Sequence, residues 1–102
     1  MQRIAMIGFG NVGQGLADIL IRKRGELRRK QGFESQVVAV SDFRLGSVYD
    51  PKGLDLKRLL QTLKKTGKLE GYKGGKKGWD ALRTIKESNA DTIVSRAKRR
   101  LP

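Results

Sequence analysis

Gln2-Arg3-Ile4-Ala5-Met6-Ile7-Gly8-Phe9-Gly10-Asn11-Val12-Gly13-Gln14-Gly15-Leu16-Ala17 is the stretch that decides the fold. Its first part, Arg3 to Ile7, is an apolar run without strict polar alternation, so it reads as a parallel strand buried on both faces. The period changes past the glycines. Val12, Leu16, Ile19, Leu20 and Leu27 recur at helical spacing, with Asp18, Arg22, Arg28 and Arg29 on the other side. Gly32 supplies a stop signal, and Gly25 weakens the last turns. Gln36 to Ser41 is a second β-branched apolar run, bounded by Asp42. Strand, glycine turn, helix and strand make one βαβ unit.

Gly8-Phe9-Gly10-Asn11-Val12-Gly13 fits G-x-G-x-x-G. The pattern alone is weak in a chain with 13 glycines. Its position after a strand and at the opening of a helix raises it to a dinucleotide-binding signature. The reasons are steric and electrostatic. Gly8 permits a tight turn, Gly10 lets backbone approach a pyrophosphate, and Gly13 lets the helix pack close to the strand. The N–H groups of Asn11 and Val12 then face the phosphates at the positive end of the helix dipole. The alternative is a glycine turn that serves packing alone. Asp42, at the end of the second strand, is placed to accept hydrogen bonds from ribose hydroxyls, which favours NAD. A plain turn role is its alternative. Arg44 is placed to hold a 2′-phosphate, which favours NADP, or is a solvated loop charge. Cofactor choice therefore stays open between NADP and NAD.

Further along, Phe43 to Gly53 reads as a loop punctuated by Gly46, Asp50-Pro51 and Gly53. Asp55 caps a second helix with Leu56, Leu59, Leu60 and Leu63 as its apolar stripe, and Gly67 stops it. Residues 70–78, with four glycines and three lysines, read as a flexible connection. A third helix starts near Trp79 or Asp80, and Asp91 to Val94 is a third strand. Trp79 reads as a packing residue. The fold class expected is α/β: half of a Rossmann-like doubly wound sheet, three parallel strands with flanking helices.

Composition narrows the chemistry. The chain has 102 residues and neither Cys nor His, which removes disulfides, thiolate chemistry, Cys/His zinc sites and His-based triads. No pair of carboxylates has spacing that argues for acid–base catalysis, and no catalytic or metal-ligating residue is assigned. No run approaches a membrane span, and no secretory h-region follows Met1, so a soluble cytoplasmic protein is expected. The net charge is +13, and residues 51–102 carry fifteen basic side chains against five acidic. Such a half suits a nucleic acid or another polyanion, or is a solvated face. Only Tyr72 and Trp79 interleave with its cations, which is sparse for a stacking platform.

Three stretches together resemble a known family. They are Gly8 to Ala17, Val37 to Asp42, and Gly46-Ser47-Val48-Tyr49-Asp50-Pro51-Lys52-Gly53-Leu54-Asp55. They are similar to the N-terminal domain of homoserine dehydrogenase, and Thr66 to Leu69 and Asn89 to Val94 fit the same pattern. The resemblance covers about residues 1–94 and implies an NAD(P)-binding domain of an amino-acid biosynthetic oxidoreductase acting on homoserine and aspartate semialdehyde. It implies that Gly8 to Gly13 hold the pyrophosphate and that Asp42 and Arg44 lie by the adenosine ribose. Leu63, with Lys64 beside it, stands where some members carry a lysine for the 2′-phosphate. The resemblance also implies that the family's catalytic Lys and Asp lie beyond residue 102. The chain is then a truncated or frameshifted product or a fragment, without catalysis of its own, and residues 95–102 are a divergent basic tail. Half a sheet leaves one edge open, and an open edge pairs with another chain, so a homodimer is expected.

Overall fold

The computed structural model describes residues 2–31 and 35–95. The expected stop at Gly32 and the basic tail from residue 96 onward lie outside the described residues. Strand β1 is Gln2–Ile7, helix α1 Asn11–Gln31 and strand β2 Ser35–Asp42. Strand β3 is Gly46–Tyr49 and helix α2 Leu56–Thr66, followed by a 3-10 turn at Leu69–Gly71. Strand β4 is Lys76–Lys77, helix α3 Ala81–Glu87 and strand β5 Thr92–Ser95.

The sheet has five strands in the order β4-β3-β2-β1-β5. β1 pairs in parallel with β2 on one side and with β5 on the other. β2 pairs antiparallel with β3, and β3 with β4. The three expected parallel strands are present, with Ser95 still part of β5. The expected three-stranded parallel sheet is corrected to a five-stranded mixed one. The loop read over 43–53 holds β3, and the connection read over 70–78 holds the short β4. The physical reason for β3 is the Asp42 carboxylate. Its Oδ1 accepts from the N–H groups of Arg44 at 2.8 Å and Leu45 at 3.0 Å, which folds Phe43–Leu45 into a tight hairpin loop.

Each face of the sheet has its own apolar layer. Ile4, Met6, Val37, Val40 and Val48 pack with Ala17 of α1, Leu59 and Leu63 of α2, and Leu69 and Tyr72 beyond it. Burying a side chain such as Leu59 completely is worth roughly 1.5–3 kcal/mol. Ala5, Val38 and Ala39 form the other layer with Tyr49 and Trp79, whose rings stack with centroids 4.6 Å apart. Adjacent Val38 and Ala39 share a layer because β2 carries a bulge: Ile4 pairs with Val37 but Ala5 with Ala39. The turn after β3 serves the bulge, as Asp50 N–H donates to the Val38 carbonyl and Leu54 N–H to that of Val37. Trp79 is thus the packing residue expected of it. Gly46 to Asp55 turns out to be architecture: a strand, a turn around Asp50, the buried Leu54 and the helix cap Asp55.

α2 begins where Asp55 accepts from Arg58 N–H and ends where Gly67, left-handed at φ 78°, donates to the Leu63 carbonyl. α3 is capped by Asp80, which accepts from Arg83 N–H. Among the described residues no helix is long and apolar enough to cross a membrane, and no group of three or more acidic side chains is placed to hold a metal ion.

Candidate functional site

Chain order reverses across β1. The chain leaves β1 through α1 to reach β2, then returns through α2 and α3 to β5 on the far side. Ligands of open α/β sheets bind at such a switch point, beyond the carboxyl ends of the strands. An open cleft of about 770 Å³ lies there. Its floor is the end of β1 and the glycine turn, at Ile7, Gly8 and Gly10. One wall is Ser41 to Arg44 with Gly46, Ser47 and Glu70; the other is Gly78 to Leu82, with Ser95 of β5 nearby. Ser41 ties the walls together, since its hydroxyl donates to the Trp79 carbonyl at 3.1 Å.

The glycine turn is built as follows. Gly8 has φ 92°, a conformation that side-chain-bearing residues rarely adopt, and its N–H donates to the Ser41 carbonyl at 2.7 Å. Phe9 is fully buried, and its N–H donates to Asp42 Oδ2 at 2.6 Å. Its carbonyl accepts from Gln14 Nε2 at 2.9 Å. A Cβ on Gly13 would lie 2.9 Å from the Gly8 carbonyl oxygen, so helix and turn are in direct contact there. Gly10 differs. A Cβ there would meet nothing within 4 Å, and its φ is not positive. Neither the turn nor the packing of this chain requires glycine at 10, and the space beside it is the cleft. Asn11, Val12 and Gly13 then form the first turn of α1, whose N–H groups have no acceptor within the helix. Phe9, read as a cofactor contact, faces the core and braces the turn from behind.

Asp42 stands at the cleft with three backbone N–H groups on its carboxylate: Phe9 on Oδ2, Arg44 and Leu45 on Oδ1. Burial by itself would raise its pKa. The donors from Phe9, Leu45 and Arg44, and the Arg44 guanidinium, outweigh that and hold the carboxyl below its ordinary value. The turn role weighed for Asp42 is therefore real, and it joins the glycine turn to the β2–β3 hairpin. Arg44 is exposed at the lip of the cleft, and Lys68 Nζ donates to its carbonyl at 3.0 Å. Leu63 is buried in the core and Lys64 points to solvent. Sequence reasoning did not find Lys68, Glu70, Phe43 or the Gly78–Leu82 wall. Only Gly78, in a glycine-rich stretch, carried a local signal.

A glycine turn opening a helix at the switch point of a partly parallel sheet defines a doubly wound α/β domain of the dinucleotide-binding class. The chain belongs to the Glutamate/Leucine/Phenylalanine/Valine dehydrogenase family, whose model matches residues 1–98. Its likeness to homoserine dehydrogenases is equally direct. It is 35% identical over 91 residues to the homoserine dehydrogenase of Methanocaldococcus jannaschii, covering 89% of this chain and 26% of that protein. It is 33% identical over 94 residues to the NAD(+)-dependent homoserine dehydrogenase of Pseudomonas canavaninivorans, covering 90% of this chain and 26% of that one. The fold matches that of a hyperthermophilic archaeal homoserine dehydrogenase solved in complex with NADPH. The TM-score is 0.77 at 25% identity, over 96% of this chain and 29% of that one. The chain spans about a quarter of the length of the curated relatives it matches. The resemblance read from the three sequence stretches is therefore borne out.

Proposed function

We propose that residues 1–94 are the NAD(P)-binding domain of a homoserine-dehydrogenase-like oxidoreductase, and that binding, not turnover, is the activity these residues carry. Gly10 carries the reading. It is a glycine with a φ that is not positive and with no atom within 4 Å of where a Cβ would stand, and it borders the cleft. The pyrophosphate is assigned to the turn from Gly8 to Gly13, with the N–H groups of Asn11, Val12 and Gly13 as donors. The nicotinamide that the cofactor brings supplies hydride chemistry; this chain's residues bind and orient its adenosine and phosphate side. The solved relative in complex with NADPH and the NAD(+)-dependent one support the ligand class.

Between the two cofactors the lip favours the phosphorylated one. Arg44 and Lys68 bring two cations there, while the facing carboxylate of Asp42 already accepts three N–H groups and keeps little capacity for a ribose diol. Calorimetric titration with NADPH and NADH on the wild type and on Gly10→Val tests both points. Saturable binding, tighter for NADPH and lost in the variant, is expected. A folded wild type that binds neither nucleotide overturns the assignment. We also infer self-association through β5, whose outer edge has no partner strand among the described residues.

A further inference from the structure

α2 is charged differently from α1 and α3. α1 sets Asp18 four residues before Arg22, α3 sets Arg83 four residues before Glu87, and both pairs close as ion pairs. α2 carries Lys57, Arg58, Lys64 and Lys65 and no carboxylate. Lys64 and Lys65, in its last turn, suit the helix dipole. Lys57 and Arg58 do not. They stand in the first turn, at the positive end of the dipole, and no acidic residue accompanies them there. Helix stability therefore gives no reason for them. Leu59 and Leu63 point into the core, and the four cations are exposed. Lys57 and Lys64 are seven residues apart, as are Arg58 and Lys65, so the cations align two turns apart along the outer face.

Two more cations extend the row. The Arg58 guanidinium lies 4.4 Å above the Tyr72 ring and donates to the Lys73 carbonyl at 3.2 Å, which sets Lys73 beside the start of α2. Lys68 follows the end of α2 and is exposed, as Lys73 is. Among the described residues none of the six forms an ion pair. From residue 57 to residue 77 there are eight basic side chains and one acidic, Glu70. Glu70 lines the cleft instead, where it accepts from Ser47 N–H at 3.4 Å.

We propose that the outer face of α2, with Lys73 at one end and Lys68 at the other, docks on the phosphate backbone of double-stranded nucleic acid without sequence preference. This surface is independent of the dinucleotide reading. A duplex carries one charge per about 1.7 Å of axis, so the span of about 12 Å from Lys57 to Lys65 faces about seven charges. A single strand stacks its bases on exposed aromatic rings, whereas Tyr72, the aromatic residue of this row, is buried beneath Arg58. An anionic bilayer takes up apolar side chains beside the cations, and no exposed large hydrophobic residue falls within 57–73. Indifference to sequence follows from the donors. Five of the six are lysines, point charges on flexible stems, and the guanidinium of Arg58 is engaged by Tyr72 and the Lys73 carbonyl rather than extended toward a base edge.

The test uses the full chain. Fluorescence anisotropy follows its binding to labelled duplexes of about 20 base pairs in two unrelated sequences and to a single strand of the same length, from about 0.05 to 0.2 M salt. Co-sedimentation follows its binding to phosphatidylcholine vesicles containing phosphatidylserine. The triple variant Lys57→Gln, Lys64→Gln, Lys65→Gln is compared with Lys23→Gln, Lys52→Gln, Lys86→Gln, which has the same net charge but loses exposed lysines elsewhere. Lys68 is left unchanged because it also borders the cofactor cleft through Arg44. The two duplexes are expected to bind equally, and more tightly than the single strand or the vesicles. The α2 variant should lose more than about tenfold in duplex affinity at about 0.1 M salt, and its log–log salt slope should fall by about 0.9 for each lysine removed. The other variant should stay within about threefold of the wild type. Equal losses in the two variants overturn the surface and leave net charge alone as the cause. Unequal affinity for the two duplexes overturns the sequence indifference. Tighter binding to the single strand or to the vesicles overturns the duplex as partner, and a wild type that binds neither duplex at about 0.05 M salt overturns the whole proposal.

Discussion

At the scale of single residues, the glycines of the turn separate into two kinds. A Cβ at Gly13 would sit 2.9 Å from a backbone oxygen that cannot move without shifting β1. A Cβ at Gly10 meets open space. Gly13→Ala is therefore expected to lower stability by about 1–3 kcal/mol in urea unfolding, whereas Gly10→Val keeps the wild-type midpoint and loses nucleotide binding. A Gly10→Val chain that unfolds as readily as Gly13→Ala would make both glycines architectural. The turn role of Gly8 and the packing role of Gly13 were legible in the sequence because each rests on the backbone alone. Asp42 was legible as a residue of the site but not as a hub, since its Phe9 partner lies 33 residues away and periodicity carries no trace of that bond. The hub has a consequence in acid. Asp42 has a lowered pKa in the folded chain, so the unfolded chain binds its proton more readily. The stability it contributes is complete above the unfolded value of about 3.9 and is lost as pH falls through the lower folded value. In urea melts from pH 7 to pH 2, the wild type should lose more stability below about pH 4 than Asp42→Asn. At pH 7 the variant should be weaker by about 1.5–3 kcal/mol, the worth of hydrogen bonds to a charged group. Parallel pH profiles for the two proteins would show that the three N–H bonds contribute nothing.

At the scale of elements, helices announced themselves and short strands did not. Asp55, Gly67 and Asp80 are local signals, readable because a cap acts on residues three or four positions away. β3 has four residues and β4 two, too few to show a period of two. β3 exists because the Asp42 loop aims it back along β2, and β4 because the chain returns from α2 past β3, where Lys77 and Lys76 pair with Val48 and Tyr49. Gly46 to Asp55 carried part of the family resemblance, yet its physical work is to form β3, seat Leu54 and start α2. This predicts that Asp55→Ala acts on the fold and not on the ligand. Loss of the cap bond to Arg58 N–H should cost about 1 kcal/mol in urea unfolding. Nucleotide affinity should stay within twofold or so, because the Asp55 backbone keeps its own bond to the Tyr72 hydroxyl. A large loss of affinity with unchanged stability would put Asp55 in the site instead.

At the scale of the whole molecule, two features of the surface act against each other. Ile93 of β5 pairs with Ala5 and so shares the face on which Trp79 packs. Leu82 and Ile85 of α3 lie exposed, and so does Ile93. Among the described residues no strand pairs with the outer edge of β5, and an edge with unpaired backbone groups together with exposed apolar side chains favours association. The net charge of +13 opposes it, because two copies repel. Repulsion between exposed charges is screened by salt, whereas strand pairing and apolar burial are not. The dimer inferred through β5 should therefore grow with ionic strength. Sedimentation equilibrium at micromolar chain should show more dimer at about 0.5 M salt than at about 0.05 M, as the screening length shrinks from more than 10 Å to a few ångströms. Ile93→Lys, which sets a charge beside the pairing edge, should return the chain to monomer at either salt concentration. A wild type that is monomeric at both would show that the apolar face and the edge of β5 do not join two copies. A dimer that weakens with salt would point instead to an ionic contact, for which the acidic side chains are outnumbered more than two to one.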